Sequence, residues 1–277
     1  MAGRRELDRR LHALGDIGSI LGVMKNLALM ETGKLSRILN AQGEMTASLE
    51  ETAAGFLMFH PQPRPAVDET IEVLLLIGSQ RGFCGDYNDL IIVALPQSEE
   101  GRTKALRIAV GAKLAGRLLS DVQLDGAHAM EEIGQVIRGV MDALHVLLVR
   151  ADGGHSLQLS ALHHDPDSGV VVVRQLAPLI VKAAPTKSSP IFPPHLTLSP
   201  PVFFAQLAEQ HLLAALTEVF HRSLMAESRF RLGHIEGASR RMERRITELK
   251  RKQTLARQEE IIEEIEAILA GAGLDEG

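Results

Sequence analysis

The sequence predicts an α/β protein whose first and last segments pair as a long antiparallel coiled coil, with an α/β domain between them. Two observations support this prediction. Apolar residues recur every seven positions near the two ends of the chain, which is the spacing of helices that supercoil around each other. The middle of the chain instead alternates short apolar runs with a helical pattern, as α/β domains do.

The first helix is predicted over residues 4–59 and is ended by a cluster of prolines after residue 60. Three glycines of this helix, Gly15, Gly18 and Gly22, share one face, so either they pack closely against the partner helix or the first helix bends there. The main apolar series has members seven residues apart: Leu7, Leu14, Leu21, Ala28, Leu35, Gln42, Leu49 and Phe56. A second, less apolar series is offset by three residues: Ile17, Met24, Glu31, Ile38, Met45 and Thr52.

The last helix is predicted to begin after Ser199, a helix-capping residue type that is followed by two prolines suited to a first turn. It is predicted to end near Gly271. Its apolar series is Ile235, Met242, Leu249 and Ala256. Residues 222–260 carry eleven basic and six acidic side chains, hence 11 − 6 = +5, so this helix either is a solvated surface or meets an acidic partner.

The central segment is predicted to form a mostly parallel sheet with helices. The predicted domains are 1–60 for the first helix, 68–182 for the α/β domain, 183–199 for a linker and 200–271 for the last helix. Strands are predicted at 71–77, 107–110, 145–149, 157–162 and 170–176, with a helix at 129–144; the last two strands form an antiparallel pair around a turn at 165–169.

Composition restricts the class of protein. The net charge of −5 and the 3% aromatic content argue against a nucleic-acid partner. The single cysteine excludes an intramolecular disulfide framework. The apolar stretches of the sequence are predicted to be too short to cross a bilayer and the first residues too charged for a signal peptide, so we expect a soluble protein without direct membrane insertion.

A glycine-rich turn, Gly78–Asn88, follows the first predicted strand. Such a turn can bind phosphate, but its spacing matches neither the dinucleotide fingerprint nor the Walker loop, and a tight strand-to-helix turn needs glycine for its backbone alone. Cys84 within it is predicted to be a small buried side chain rather than a nucleophile. A group of potential metal ligands, His163, His164, Asp165 and Asp167, is predicted to be a solvated turn. We therefore predict no catalytic residue, metal or cofactor.

Three stretches of the chain resemble the gamma subunits of F-type ATP synthases. Ile20–Leu27 is similar to the "ITKAMxMV" segment of their opening helix. Gly82-Phe83-Cys84-Gly85 with Asn88 is similar to their "DRGLCGxxN" signature. The last helix is similar to "SExxxRMxAM…ARQxxITxELxEIxxGA" through Glu227 to Arg231, Ala256-Arg257-Gln258, Glu264-Ile265 and Gly271-Ala272.

The resemblance implies a Rossmann-like central domain and a non-catalytic rotor shaft that couples ion flow to ATP synthesis or hydrolysis by rotation. The implied partners are the alpha and beta subunits of the F1 hexamer, the epsilon subunit and the c-ring, at the cytoplasmic side of a bacterial inner membrane. The implied partner-contact residues are Met24, Lys25, Arg231, Arg257 and Gln258. The implied structural turn consists of Gly82, Cys84, Gly85 and Asn88.

Departures from the family pattern are present. Gln80 stands where the family has an acidic residue, and Ile262 stands where it has a threonine. These changes indicate a divergent branch, such as the sodium-translocating type. Two alternatives remain open from the sequence: a coiled-coil hinge protein without a rotary role, and a small nucleotide-binding α/β enzyme that uses the Gly78–Asn88 turn.

Overall fold

The computed structural model describes residues 2–61, 70–98, 105–150, 156–179 and 195–272. It divides into two compact units, one formed by Met1–Ala28 with Leu232–Gly277 and the other by Leu29–Arg231. Two long helices, α1 (Ala2–Phe59) and α5 (Pro200–Ala272), contribute to both units. The fold is therefore the predicted combination of long terminal helices and a central α/β domain. The predicted linker lies largely outside the described residues.

In the first unit, α1 and α5 pair in antiparallel fashion. Lys25 Nζ lies 2.9 Å from Glu236 Oε1, and Gln253, seventeen residues further along α5, donates a hydrogen bond to Asp8. Four of the main heptad positions are buried here, Leu21, Ala28, Ile235 and Leu249, and the other four are half-buried, Leu7, Leu14, Met242 and Ala256. The apolar repeat is thus the seam between the two helices.

The offset series of α1 does not form a second buried row. Ile17 and Met45 are 48% and 50% exposed. In the second unit the buried residues of α1 are Leu35 and Phe56 of the main series, together with Thr46 and Ala53 outside it. In a straight helix a seven-residue stripe drifts by about 20° per heptad, so residues beside the original series become buried as well.

The prediction for the three glycines of α1 holds at one position only. A Cβ on Gly18 would lie 3.0 Å from Met242 Cε, whereas a Cβ on Gly15 or Gly22 would meet nothing within 4 Å. Only Gly18 therefore packs closely against a side chain of the partner helix, and the packing interpretation is wrong for the other two.

One described helix stretch, within Arg5–Phe59, is long and apolar enough to span a membrane, with a mean hydropathy of 1.3 over eighteen residues of which 11% are buried. This corrects the expectation that no stretch reaches that length. Length and composition do not separate a membrane span from a helix whose apolar face another protein covers.

The second unit contains a five-stranded sheet. Its elements are β1 (Thr70–Ile77), α2 (Tyr87–Ser98), β2 (Leu106–Val110), α3 (Ala112–Ala115), β3 (Val122–Leu124), a 3₁₀ turn (Met130–Glu132), α4 (Ile133–Arg150), β4 (Ser156–His164) and β5 (Val171–Ala177). The strand order is β3-β2-β1-β4-β5. Every neighbouring pair is parallel except β4 and β5, which are antiparallel as predicted.

Both faces of the sheet are buried, as expected for parallel strands. Alternate β1 residues point to opposite sides: Val73, Leu75 and Ile77 pack with α4 and α5, and Leu74 and Leu76 pack with α2. Because β1 is central and covered on both sides, its second half, residues 73–77, is an unbroken apolar run. The residues that follow it are thereby held at the middle of the sheet.

One predicted strand is wrong, and one observed strand was not predicted. Residues 145–149 are the last turns of α4, where Leu147 continues the buried row of Val140 and Leu144. A short apolar run fits either a strand or a buried helix, and here the helical period continues through it. The three-residue strand β3 was not predicted because so short a segment carries no periodicity.

Candidate functional site

The glycine-rich turn connects the end of β1 to α2 and is held by its own side chains. The Ser79 backbone N–H donates to Asn88 Oδ1 over 3.0 Å, and Asn88 Nδ2 donates to Ser79 Oγ over 2.8 Å. Phe83 and Gly85 have φ angles of 64° and 59°. Asn88 and Gly85 therefore contribute to the contacts and the backbone geometry of this turn. Its correspondence to the structural turn that the resemblance implies stays a prediction.

Cys84 is buried in this turn. Its Sγ lies 3.4 Å from the Gly82 carbonyl oxygen and 3.9 Å from Glu227 Oε1. Burial and the neighbouring Glu227 charge raise the pKa of Cys84 to about 11, so the thiol is protonated near neutral pH and is a poor nucleophile. This agrees with its prediction as a packing residue.

Gly85 and Gly82 allow a matched test of the turn. We expect Gly85→Ala to destabilise the domain by about 1–2 kcal/mol, because an L-residue at positive φ is strained. A Cβ on Gly82 would meet nothing within 4 Å, and its φ is not positive, so we expect Gly82→Ala to change stability by less than about 0.5 kcal/mol. Urea unfolding followed by Tyr87 fluorescence measures both. Equal effects would contradict this account of the turn.

Gln80 connects the turn to two other loops. Its Oε1 accepts from the backbone N–H of Ala112 (2.9 Å) and of Gly126 (2.7 Å), and its Nε2 lies 3.4 Å from Asp125 Oδ1. The amide oxygen can accept both N–H bonds because it has two lone pairs. Gln80 thus joins the loops that follow β1, β2 and β3.

Glu227 of α5 points into the turn. Its two carboxylate oxygens accept from the backbone N–H groups of Gln80 and Arg81, each at 3.3 Å. Arg231, one helical turn further, donates to the same carboxylate. Burial raises the pKa of Glu227, while Arg231 and the two N–H groups act in the opposite direction. All three donors, the two backbone N–H groups and the guanidinium, can stabilise an ionised carboxylate by hydrogen bonding.

The same cluster reaches α1 through Glu31. Arg81 Nη1 lies 3.0 Å from Glu31 Oε1, Ser228 Oγ donates to Glu31 Oε2 over 3.0 Å, and Arg231 Nη1 lies 3.6 Å from Glu31 Oε2. We call Glu31, Arg81, Glu227, Ser228 and Arg231 the joint cluster. It brings α1, the turn after β1 and α5 to one point within the second unit, with two positive and two negative charges.

A second ionic cluster fixes α5 to the turn between β4 and β5. Arg222 pairs with Asp165 and lies 3.9 Å from Asp167 Oδ2. Arg229 Nη1 lies 3.1 Å from Asp167 Oδ1. Although burial opposes the change, hydrogen bonds from Ser168 and Arg222 lower the pKa of Asp165 to about 2. The acidic residues of this turn are therefore partners of α5.

The histidines that precede this turn are not solvated, which corrects the prediction. His163 and His164 are buried at the end of β4, and His164 Nε2 lies 2.8 Å from the Tyr87 carbonyl oxygen. Both belong to a strand whose end is covered by α5 and α2, so the polar residue types alone were misleading. Among the described residues, no group of three potential ligands is arranged to hold a metal.

The burial of His163 predicts a pH dependence of stability. Burial lowers its pKa from 6.5 to about 4, and the neighbouring charges are Arg222, Arg174 and Asp165. The unfolded chain therefore binds a proton between pH 6.5 and 4 that the folded chain does not bind. The contribution of His163 to stability should be fully present above pH 6.5. The free energy of unfolding should then fall by up to about 1.4 kcal/mol per pH unit as the pH drops through this window.

Unfolding curves of the unsubstituted chain and of His163→Gln, taken from pH 7 to pH 4, measure this dependence. His163→Gln should be less stable at pH 7 but lose less stability on acidification. Exposed His145 of α4 provides the control, because His145→Gln should leave the slope unchanged. An unchanged slope in His163→Gln would contradict the prediction.

The two clusters lie beyond the carboxyl ends of β1 and β4, which are neighbours in the sheet. In open α/β sheets this crevice is the usual ligand site. Here α5 packs over this edge, and a cavity of about 20 Å³ remains between α5 and the ends of β1 and β2, with Gly78, Val110, Phe220 and Glu227 in its lining. At this edge of the sheet, side chains of α5 therefore contact the turns that follow β1 and β4.

The predicted partner-contact residues are distributed over both units. Arg231 is 4% exposed and belongs to the joint cluster, so the structure does not present it for contact with another subunit. Lys25 pairs with Glu236 in the first unit, and Met24 beside it is half-buried. Arg257 and Gln258 are exposed on α5. The role of all these residues in contact with partner subunits stays a prediction.

Glu227 is the residue whose role sequence reasoning missed. The resemblance places Glu227 in a family motif without assigning it a contact. Glu227 and Gln80 are 147 positions apart in the sequence, so their contact leaves no local pattern. The available signal was the combination of a glycine-rich turn of the anion-binding type with a glutamate four residues before an arginine on the last helix.

Solved structures share this fold. A rotor chain of the Euglena gracilis mitochondrial ATP synthase aligns with a TM-score of 0.55 at 12% identity, covering 94% of this chain and 99% of that one. A chain of the same enzyme in its OSCP/F1/c-ring structure gives 0.57 at 13% identity, covering 97% and 93%. A central stalk/c-ring chain of Tetrahymena thermophila gives 0.54 at 15% identity, covering 79% and 99%.

Sequence comparison identifies the family. No curated protein sequence matches the chain significantly. The family model described as ATP synthase, in its gamma subunit family, matches residues 3–273, nearly the whole chain. The chain belongs to the ATP synthase gamma subunit family.

Proposed function

We propose that this chain is the central rotor shaft of an F-type ATP synthase and that it is itself non-catalytic. Membership of the gamma subunit family supports the rotor role. The occupied crevice supports the second part, because the N–H groups of Gln80 and Arg81 that could bind a phosphate are bonded to Glu227. The small-enzyme alternative would need that crevice open.

The observation that carries the proposed partners is the uncovered apolar surface of the first unit. On α1 the exposed apolar side chains are Ile17, Ile20, Val23 and Leu27; on α5 they are Leu255, Ile261, Ile262, Ile265, Ile268 and Leu269. Patches of this kind mark protein–protein contacts. We assign these faces to the alpha and beta subunits of the hexamer, and this assignment also accounts for the apolar stretch of α1 without membrane insertion.

Charge on α5 suits the same partner. Arg240, Arg241, Arg244 and Arg245 are near neighbours. Two pairs of residues four apart form on the same helix, Arg240 with Glu236 at 3.8 Å and Lys252 with Glu248 at 3.1 Å. These pairs are exposed and weak, so the basic excess remains available to acidic loops. The central α/β domain would then meet the epsilon subunit and the c-ring, on the cytoplasmic side of a bacterial inner membrane.

Co-expression with alpha and beta subunits tests this function. Size-exclusion chromatography should yield a complex with one copy of this chain per hexamer. The double variant Ile262→Glu with Ile265→Glu should weaken assembly at least about tenfold, since burying each side chain contributes about 1.5–3 kcal/mol.

Leu119→Glu is the matched control, because Leu119 is 89% exposed in the other unit and should not affect binding to the hexamer. A coiled-coil hinge protein would instead purify as a stable homodimer without the hexamer, which would reject the rotor function.

A further inference from the structure

We propose that the turn after β1, together with Arg231, is an oxyanion-binding site whose resident ligand is the chain's own Glu227 carboxylate. By occupying the site, this carboxylate closes the crevice to carboxylate and phosphate ligands. The proposal does not depend on the rotor function, because it concerns only contacts within the second unit.

The donors around the Glu227 carboxylate are those of an anion site. Two successive backbone N–H groups, of Gln80 and Arg81, address one oxygen each at 3.3 Å. Successive N–H groups of a glycine-rich turn form a concave nest that binds anions. The bidentate arrangement matches the two oxygens of a carboxylate.

A buried positive charge completes the site. The Arg231 side chain is 5% exposed and donates to Glu227 Oε1, and the Cys84 thiol lies 3.9 Å from the same oxygen. A buried guanidinium needs an anionic partner. If the Glu227 carboxylate were removed, the two N–H groups and this guanidinium would lose their shared acceptor at the same time.

Space for a replacement ligand is present. The cavity of about 20 Å³ is lined by Glu227, Gly78 and Gln80, and a volume of that size holds about one water molecule. Truncation of Glu227 would add the volume of its own carboxylate to this cavity. The enlarged space would have the polar donors on one side and the end of β1 on the other.

Chemical rescue tests the proposal on the full-length chain. Glu227→Ala should lower the thermal unfolding midpoint, and sodium formate should restore at least half of that loss relative to sodium chloride at equal ionic strength. Inorganic phosphate forms the second arm. Rescue by both anions assigns the site to oxyanions in general, and rescue by formate alone assigns it to planar carboxylates; each outcome supports the proposal.

Glu218 provides the matched control. It is also buried on α5 and also pairs with an arginine, Arg174 Nη1 at 3.0 Å, but that partner lies on β5 rather than in the turn. Formate should therefore shift Glu218→Ala and the unsubstituted chain far less than Glu227→Ala. Equal shifts in all three proteins would reveal a general salt effect and overturn the proposal.

The absence of any anion-specific shift in Glu227→Ala would overturn it as well. If this variant does not fold in chloride, the soluble yield on refolding into formate against chloride becomes the measurement. A higher yield in formate for Glu227→Ala, but not for Glu218→Ala, supports the site, and equal yields reject it.

Discussion

Replacing Arg231 with methionine is expected to lower the free energy of unfolding of the α/β domain by about 3–5 kcal/mol. The substitution keeps much of the side-chain volume but leaves Glu227 buried without its cationic partner and removes a contact to Glu31. An uncompensated buried charge is among the most destabilising changes a protein can suffer. The joint cluster should therefore depend on this guanidinium.

Tyr87 provides the measurement. The chain has one tyrosine and no tryptophan, and Tyr87 is buried against His164 and Phe230 with its hydroxyl 2.9 Å from Ser223 Oγ. Its fluorescence in urea therefore reports on the α/β domain and its contact with α5. The midpoint of the urea unfolding curve and the dependence of the unfolding free energy on urea concentration together give the change in the free energy of unfolding.

Arg240→Met is the control for charge removal. Arg240 pairs with Glu236 at 3.8 Å and its side chain is 73% exposed, so its loss should change stability by less than about 1 kcal/mol. The double variant Glu227→Met with Arg231→Met should cost less than the sum of the single variants, because it leaves no unpaired charge. Equal effects of Arg231→Met and Arg240→Met would contradict the buried-pair argument.

The contacts of Gln80 explain why this position departs from the acidic residue of the family pattern. Its Oε1 accepts two backbone N–H bonds, while its Nε2 faces Asp125. A carboxylate at this position could accept the same bonds but would place a further negative charge beside Asp125 and near Glu227. The neutral amide retains the loop geometry and replaces that repulsion with a weak hydrogen bond.

Local patterns were sufficient to predict most elements of the fold. The long helices follow from heptad spacing, and β1 follows from an apolar run that ends at Gly78. Residues 145–149 were assigned wrongly because a run of four apolar residues after His145 does not distinguish a strand from the end of a helix. The strand β3 has only three residues and depends on its pairing with β2.

The site was less predictable because it is made by contacts far apart in sequence. Asn88 and Cys84 could be placed in a structural turn from the turn's own residues. The insertion of Glu227 into that turn, and the pairing of Arg222 with Asp165, depend on how α5 packs on the sheet. No periodicity records such a contact, so the polar residues at β4 were read as solvated when α5 covers them.

Gly78→Ala is expected to destabilise the domain by about 3 kcal/mol or more, at or above the upper end of the usual overpacking cost. An added Cβ would lie 2.2 Å from Leu114 Cβ and 2.9 Å from Asn88 Oδ1. Neither atom can move easily, because Leu114 Cβ is fixed by the backbone of α3 and Asn88 is bonded to Ser79. The clash would separate α3 from β1.

Gly116→Ala is the matched control for this effect. Gly116 also adjoins α3, but its φ is −70° and an added Cβ would lie 3.7 Å from the nearest atom, the Ala112 carbonyl oxygen. We expect a change of less than about 0.5 kcal/mol there. If Gly78→Ala were as stable as Gly116→Ala in urea, the close approach of α3 to the end of β1 would be wrong. The framework that positions the joint cluster would then need another origin, because Gly78 is the point where β1 passes into the turn that holds Glu227.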